Sequence, residues 1–559
     1  MNLQALFRKK TAGDAAESQE GAQGHTLHRV LRVRDLTFFG IAAIIGAGSF
    51  SSMGQACFSG GPGVILLFII CGIACGFTAM CYAEFASRVP VSGSAYTYAY
   101  VSFGELFAWI IGWALLMEYS IGNIYVAFSW SGYFTNLLDG TGLHLPEWLT
   151  INFRAAHAAF LEGKPGTEGF TAWTSAPRIL GMPLIFDLPA VFINIVITWL
   201  VYRGVHESRN VSNLMVVLKL LIILLIVIVG VFYLDTANWT PFLPNKFSGV
   251  MAGVSAVFFA YIGFDAVSTL AEESKNPRHD LPRGMMYSLV ICTVIYIVLS
   301  LILTGMVSYS QLGVSDPLAE VFKIKGVKWM LFIVSAAAVL AMTSVILVFQ
   351  MGQPRIWMSM SRDGLLPSRF SSLHPRYKTP GFATIITGLV VGIPIFFTDE
   401  NFVLDFTSIG TLFAFVLVCG GVLMLPRREK NKNKREFLLP YINSRWIIMP
   451  LTISAFCLLW IYDRSFITSP FFITAGTAAS NIPMLVFFAL CITMALASFI
   501  KKLSLIPVCG VLSCCYLLTG MAASNWIWFF IWFAIGLVIY FTYSMKKSVL
   551  AKNAGSFKE

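Results

Sequence analysis

Ile44-Ile45-Gly46-Ala47-Gly48-Ser49-Phe50 and Phe259-Ala260-Tyr261-Ile262-Gly263-Phe264 interrupt two long apolar stretches with glycine, and their reading decides the fold. A helix that stops inside a bilayer strands backbone N–H and C=O groups in hydrocarbon, at several kcal/mol apiece, unless a cavity, ion or ligand satisfies them. Each break is therefore a candidate binding site. Glycine also allows close packing of membrane helices, and a single break would fit that reading. Two breaks at corresponding positions favour the binding reading.

The surrounding composition sets the class. The chain is 57% hydrophobic and 12% charged with a mean hydropathy of +0.75, against roughly 25% charged residues in soluble domains. Such a chain cannot be a water-soluble globule. With about 20 apolar residues needed per membrane helix, fourteen stretches qualify, beginning near Leu36, Val64, Leu106, Ile185, Val211, Gly249, Met285, Lys328, Phe382, Phe402, Trp446, Ile482, Leu503 and Asn525. Continuous apolar runs without period-two alternation exclude an outer-membrane barrel.

Positive charge gives the orientation. With the N-terminus cytoplasmic, Arg8, Lys9, Lys10, Arg29, Arg32 and Arg34 lie inside, and alternate loops add Arg203 and Arg209, then Arg355 to Lys378, then Arg427 to Arg445. Lys546, Lys547, Lys552 and Lys558 put the C-terminus on the same side. The outside loop with Lys323, Lys325 and Lys328 dissents, so the rule is obeyed in bulk. The net charge of +11 is a topology signal, and its spread over separate loops argues against nucleic-acid binding. Residues 1–34 contain no apolar signal sequence and read as a cytoplasmic arm. Residues 139–183 form the longest outside loop, residues 428–445 a basic cytoplasmic loop and 546–559 a cytoplasmic tail.

Most of the eleven cysteines, Cys71 and Cys75 among them, lie in apolar spans and imply no disulfide framework. The seven histidines fall in the arm, loops or span ends, so no metal site or other cofactor is expected. No His-Glu-x-x-His, Ser-Lys or paired-aspartate arrangement within the spans suggests an enzyme.

Breaks in the first and sixth spans suggest two five-span repeats of inverted topology, residues 35–427, meeting at mid-membrane. The last four spans, residues 446–545, would form an accessory bundle. Further motifs run in order: Tyr82-Ala83-Glu84-Phe85-Ala86-Ser87-Arg88-Val89-Pro90, Ser92-Gly93-Ser94-Ala95-Tyr96, Gly112-Trp113, Glu118-Tyr119 and Arg203-Gly204. Gly263-Phe264-Asp265-Ala266-Val267-Ser268-Thr269, Glu272-Glu273-Ser274-Lys275-Asn276-Pro277, Pro354-Arg355 and Ser361-Arg362-Asp363-Gly364-Leu365-Leu366-Pro367 follow. On these residues the chain resembles the amino acid, polyamine and organocation transporter superfamily, close to bacterial relatives of the cationic amino acid transporters. The resemblance covers roughly the first 430 residues. It implies an all-α polytopic membrane protein of LeuT-like fold, a 5+5 inverted repeat with four additional C-terminal helices, in a plasma or bacterial inner membrane.

In such a site the half-helix beginning near Gly48 points its N-terminal amides and positive dipole end at a substrate carboxylate. Ala47, Gly48 and Ser49 would supply the amides. The resemblance assigns the substrate ammonium to carbonyls of Ile44, Phe259, Ala260 and Ile262, and gives the Phe259 ring the role of a gate over the bound head group. A packing aromatic, in a chain with 47 phenylalanines, is the plain alternative. Phe349 stands where arginine-carrying relatives have a small residue, which implies a shortened pocket for small or medium neutral amino acids. Glu118 has two readings, a partner for a cationic substrate or a protonated acid bonded to a neighbouring helix.

Lys219 lies in the otherwise apolar fifth span, where a charge costs from about 2.5 kcal/mol on insertion scales. Snorkelling to the cytoplasmic surface is one reading. The other follows from proton-coupled relatives, in which a lysine here replaces a sodium ion and bonds to the broken first helix. Lys219 would then take a proton in the outward state and release it inside. Glu84, Arg88, Asp265, Glu272, Glu273, Arg355 and Asp363 read equally as inner-gate ion pairs and as solvated charge. Three functions follow from the sequence: a proton-coupled amino acid importer, an exchanger using the same site, and a non-transporting amino acid sensor.

Overall fold

Both predicted breaks are present. In the computed structural model, helix α1 (Val33–Ile44) stops at Ile45, whose extended backbone (φ −82°, ψ 97°) turns the chain out of the helix. A wide turn, Gly48–Ser52, then leads into α2 (Met53–Gly60). The structure describes residues 8–10, 31–46, 48–88, 94–163, 166–179, 181–204, 209–314, 316–377, 379–425, 437–462, 467–471 and 478–551. Outside them fall Ala47, most of the arm, Val89 to Gly93, Glu207 and Ser208, the basic segment 428–436 and the end of the tail. The side chains of Glu272 and Glu273 are not described either.

The chain continues through α3 (Val64–Arg88), α4 (Ser94–Ser102) and α5 (Glu105–Gly140). Residues 139–183 are more ordered than a bare loop. They contain α6 (Phe153–Leu161), α7 (Glu168–Ser175) and a two-stranded hairpin in which Arg178 pairs with Pro183. Ala156, Ala172, Ala176 and Ile185 pack there with Trp148 and Trp173 as a separate small core. Asn152 and Thr167 cap the two helices through their side chains. Then come α8 (Leu188–Arg203), α9 (Arg209–Val231), α10 (Lys246–Ala252) and α11 (Val254–Tyr261). The last of these ends at Ile262 (φ −60°, ψ 137°), after which Gly263 turns at φ +116° into a tight helix, Phe264–Glu273.

The remaining elements are α12 (Pro277–Met306), α13 (Pro317–Ile324), α14 (Lys328–Arg362), α15 (Gly381–Ile395), α16 (Glu400–Met424), α17 (Ile448–Tyr462), α18 (Ala478–Lys501), α19 (Leu505–Leu518) and α20 (Ala523–Ile539). α12 begins eight residues before the expected Met285, because Pro277 opens the helix and its first two turns, with Arg278, His279, Asp280 and Arg283, are too polar for a hydropathy reading to include. Among the described residues eight helical segments are long and apolar enough to cross a membrane, and five shorter apolar helices accompany them. α14 lies along α5 and α12 along α3, while α9 touches α1, α12 and α14. Large apolar side chains such as Ile195, Leu224, Val290 and Phe530 stay exposed, as lipid-facing surfaces require.

The two breaks touch. A Cβ on Gly48 would sit 2.6 Å from Ala260 Cα, and one on Gly263 would sit 3.0 Å from the Ala43 carbonyl carbon. Gly48→Ala is therefore expected to force the two half-helices apart at a backbone-to-backbone contact. Overpacking of this kind destabilises by about 1–3 kcal/mol. The check is a lowered melting temperature in detergent, together with uptake reduced at least as strongly.

Candidate functional site

The carbonyls freed at the breaks find side-chain donors. Tyr296 on α12 places its hydroxyl 2.9 Å from the Ile44 carbonyl oxygen and 2.7 Å from that of Ala260, so one O–H serves both interrupted helices. Gly46 O accepts from the Ser49 and Phe50 amides at 3.1 and 3.0 Å. The Ser49 amide is thus turned onto its own chain. Ser52 Oγ lies 3.1 Å from Gly48 O and 3.0 Å from Ala256 O, joining the second half of the first helix to the first half of the sixth.

Lys219 comes to the same place from α9. Its Nζ is 3.3 Å from Ile45 O, 3.4 Å from Ala42 O and 2.5 Å from Ser344 Oγ on α14. Only 4% of the side chain is exposed, so the ammonium lies at the break and not at a membrane surface. The cause is local: carbonyls that α1 cannot bond internally, because it ends at Ile45, are strong acceptors in a dry setting.

Phe259 is buried, with its ring edge-on to Tyr125 of α5 at a centroid distance of 4.5 Å. Ile262 is buried at the turn, its amide bonded to Phe259 O at 3.1 Å. Phe349 on α14 meets Tyr119 at 5.4 Å between centroids, and a Cβ on Gly122 would approach its ring to 3.1 Å. The ring thus fills the groove between α14 and α5. Glu118, one position before Tyr119, is buried near Asp265 and Thr411, and its Oε2 finds no partner among the described residues.

The structure therefore brings Ile44, Gly48, Ala260 and Lys219 together around the breaks. It places Phe259 on the α5 side, and Phe349 and Glu118 along α5 nearby. Tyr296, Ser344 and Tyr125 were not singled out in the sequence, although each is a hydroxyl in an apolar run, the one signal that marked them. Tyr296→Phe is expected to leave the Ile44 and Ala260 carbonyls short of a donor. That costs about 1–3 kcal/mol for a buried unsatisfied group. The predicted result is a drop in melting temperature with a five-fold or greater fall in uptake, while expression in the membrane is kept.

Of the charges expected at span ends, Glu84 is buried and accepts from Arg88 Nε at 2.7 Å and from the Leu439 amide at 2.8 Å. Asp363 bonds Lys10 Nζ at 2.6 Å and the Tyr96 hydroxyl at 2.7 Å. Both are built-in contacts and not solvated surface charge.

Membrane-crossing helices, two of them broken and touching at their breaks, with a buried lysine from α9 bonded at the first break, define an integral membrane protein. A family model described as Amino acid permease matches residues 31–497, and one described as C-terminus of AA_permease matches 503–548. The chain belongs to the amino acid permease family, within the amino acid, polyamine and organocation superfamily. It is 40% identical over 465 residues to the branched-chain amino acid permease BcaP of Bacillus subtilis, covering 83% of this chain and 94% of that protein. A methylthioribose transporter of the same organism is 36% identical over 551 residues, 98% of this chain and 100% of that one. A vacuolar cationic amino acid transporter 2 of Arabidopsis thaliana is 35% identical over 430 residues, 76% of this chain and 63% of that protein.

Proposed function

We propose that this protein is a secondary active transporter that imports small to medium neutral L-amino acids, driven by protons through Lys219. The observation that carries the reading is the bonding of the Lys219 ammonium to the Ala42 and Ile45 carbonyls and to Ser344. Protonated, the amine has three N–H donors and a charge for these three acceptors, and neutral it has two donors and no charge, so its protonation is linked to the arrangement of the break. The substrate head group is read by the Gly48 region on the carboxylate side and by carbonyls of Ile44, Phe259, Ala260 and Ile262 on the ammonium side. Phe259 covers it from outside. Tyr296, which bonds two of those carbonyls in the closed arrangement, shares or yields them when the ammonium arrives.

The fold proposed for this mechanism is the LeuT-like 5+5 inverted repeat of residues 35–427, with an accessory four-helix bundle at 446–545, fourteen spans in all. Both termini are cytoplasmic and the membrane is the plasma or inner membrane. The two breaks in the first and sixth spans, touching at Gly48 and Gly263, support it. Phe349 filling the groove beside Gly122 supports a neutral substrate over arginine, and the branched-chain relative fits that size.

Proteoliposomes test the proposal directly. Labelled leucine, alanine, arginine and methylthioribose would be offered with and without an inward proton gradient. Gradient-driven accumulation of leucine or alanine is the expected result. Accumulation that needs a counter-substrate inside points to an exchanger, and binding without accumulation points to a sensor; either would overturn proton-coupled import.

A further inference from the structure

Above the breaks, on the side that the wide turn Gly48–Ser52 and α2 lead towards, a second hydrogen-bonded chain closes the site. Glu400 heads α16, whose start is fixed by the Asp399 side chain accepting from the Phe402 amide. Its Oε1 lies 3.1 Å from Ser51 Oγ and 3.4 Å from Ser129 Oγ of α5. Ser51 Oγ is in turn 3.2 Å from the Tyr125 hydroxyl. Each hydroxyl has one proton to give, which orders the bonds: Tyr125 donates to Ser51, and Ser51 donates to the Glu400 carboxylate. The Tyr125 ring is the one packed on Phe259 at 4.5 Å. Alongside, the Tyr133 hydroxyl of α5 donates to the Phe50 carbonyl.

We propose that Glu400 is a positioning residue for the outer gate: its carboxylate draws Ser51, and through it Tyr125, into the arrangement that seats Tyr125 against Phe259 and closes the outer face. Three separate elements, the half-helix after the first break, α5 and α16, converge on this one carboxylate. One oxygen is the shared acceptor for hydroxyls from two different helices, so its loss frees both at once. A hydroxyl acceptor at position 400 would hold the same parts more loosely. The inference rests on the transport reading for its kinetic consequence but not for its structural one.

The link predicts an unusual split. Loosening the outer closure enlarges the outward-open population, and apparent affinity from outside rises with the competent fraction. The same loosening slows closure, which each cycle requires. Glu400→Ala is therefore expected to lower the KM for external leucine about threefold to tenfold and to lower the maximal rate by about tenfold or more. Tyr125→Phe removes the hydroxyl that ties the ring to Ser51 while leaving Ser51 on Glu400, and should move both values the same way to a smaller extent. A residue that merely holds the fold would leave KM unchanged or raise it.

A readout without substrate keeps the two proposals apart. Hydrogen exchange of purified protein should speed up at least threefold over residues 48–60 in Glu400→Ala and Tyr125→Phe, with residues 478–551 unaffected. Unchanged exchange over 48–60 in both variants overturns the latch, whatever transport does. Faster exchange with a raised KM also overturns it, since Glu400 would then be a strut. Should wild-type protein fail to take up leucine, the transport reading falls and the exchange result alone decides the latch.

Discussion

Lys219→Ala is expected to abolish uptake driven by an inward proton gradient, to below about one hundredth of the wild-type rate, while leaving the protein folded. The size of the effect follows from what the ammonium touches. It is within bonding distance of Ile45 O and Ala42 O at the end of α1 and of Ser344 Oγ on α14. Hydrogen bonds to a charged group contribute about 1.5–3 kcal/mol each, and a buried acceptor left without a donor costs about 1–3 kcal/mol. The variant also removes an ammonium whose placement in a span costs about 2.5–3.5 kcal/mol on insertion scales. The lost bonds outweigh that relief, so a lowered melting temperature is expected beside the loss of coupling. Coupling is lost outright, since alanine carries no proton. Lys219→Met, which keeps the volume, should behave alike. The measurement is leucine accumulation in proteoliposomes at matched and opposed pH, beside the melting temperature of each variant. Gradient-dependent accumulation in Lys219→Ala would leave the lysine a structural strut.

The breaks were legible because two glycine interruptions fall at corresponding positions of the first and sixth spans, whereas single glycines such as Gly122 and Gly352 lie inside unbroken helices. Gly263 sits at φ +116°, where a Cβ is not tolerated, and Gly48 lies where a Cβ would meet Ala260. Lys219 was legible for the opposite reason, as a charge where charges are expensive. What composition hid were groups whose chemistry is ordinary until the fold assembles them. Tyr296 is one of nineteen tyrosines, and nothing in the sequence says that its hydroxyl falls between the Ile44 and Ala260 carbonyls. Ser344 and Ser51 are similar cases, since hydroxyls within membrane helices mostly bond the carbonyl three or four residues back, as Ser129 does with Tyr125 O. The Ser49 amide, read as a ligand for a carboxylate, bonds Gly46 O, because the chain closes a tight turn from Gly46 to Ser49 at the break. The segment 139–183 was read as loop because its two helices, of nine and eight residues, are too short for a periodic signal to stand out.

Phe349→Ser is expected to admit arginine, which the wild-type ring is proposed to exclude. The ring occupies the groove between α14 and α5, in contact with Tyr119 and beside Gly122, where no side chain competes for the space. Replacing it with serine opens room for a longer side chain and adds a hydroxyl. Removing a buried phenylalanine ring costs about 3–5 kcal/mol in soluble cores, so the melting temperature should fall. The same loss should raise the KM for leucine roughly tenfold, since apolar contacts of this size contribute about 1–3 kcal/mol to recognition. Arginine entering the enlarged pocket needs a partner for its guanidinium, because an unpaired charge in a dry site is prohibitive. Glu118, buried with an unpartnered oxygen near Asp265, is the acid in place to supply it. The double variant Phe349→Ser with Glu118→Gln should therefore lose arginine uptake and keep leucine uptake at the level of the single variant. If arginine is still carried without the carboxylate, Glu118 belongs to the helix-bonding reading. If Phe349→Ser admits no arginine at all, the ring does not set the length of the pocket.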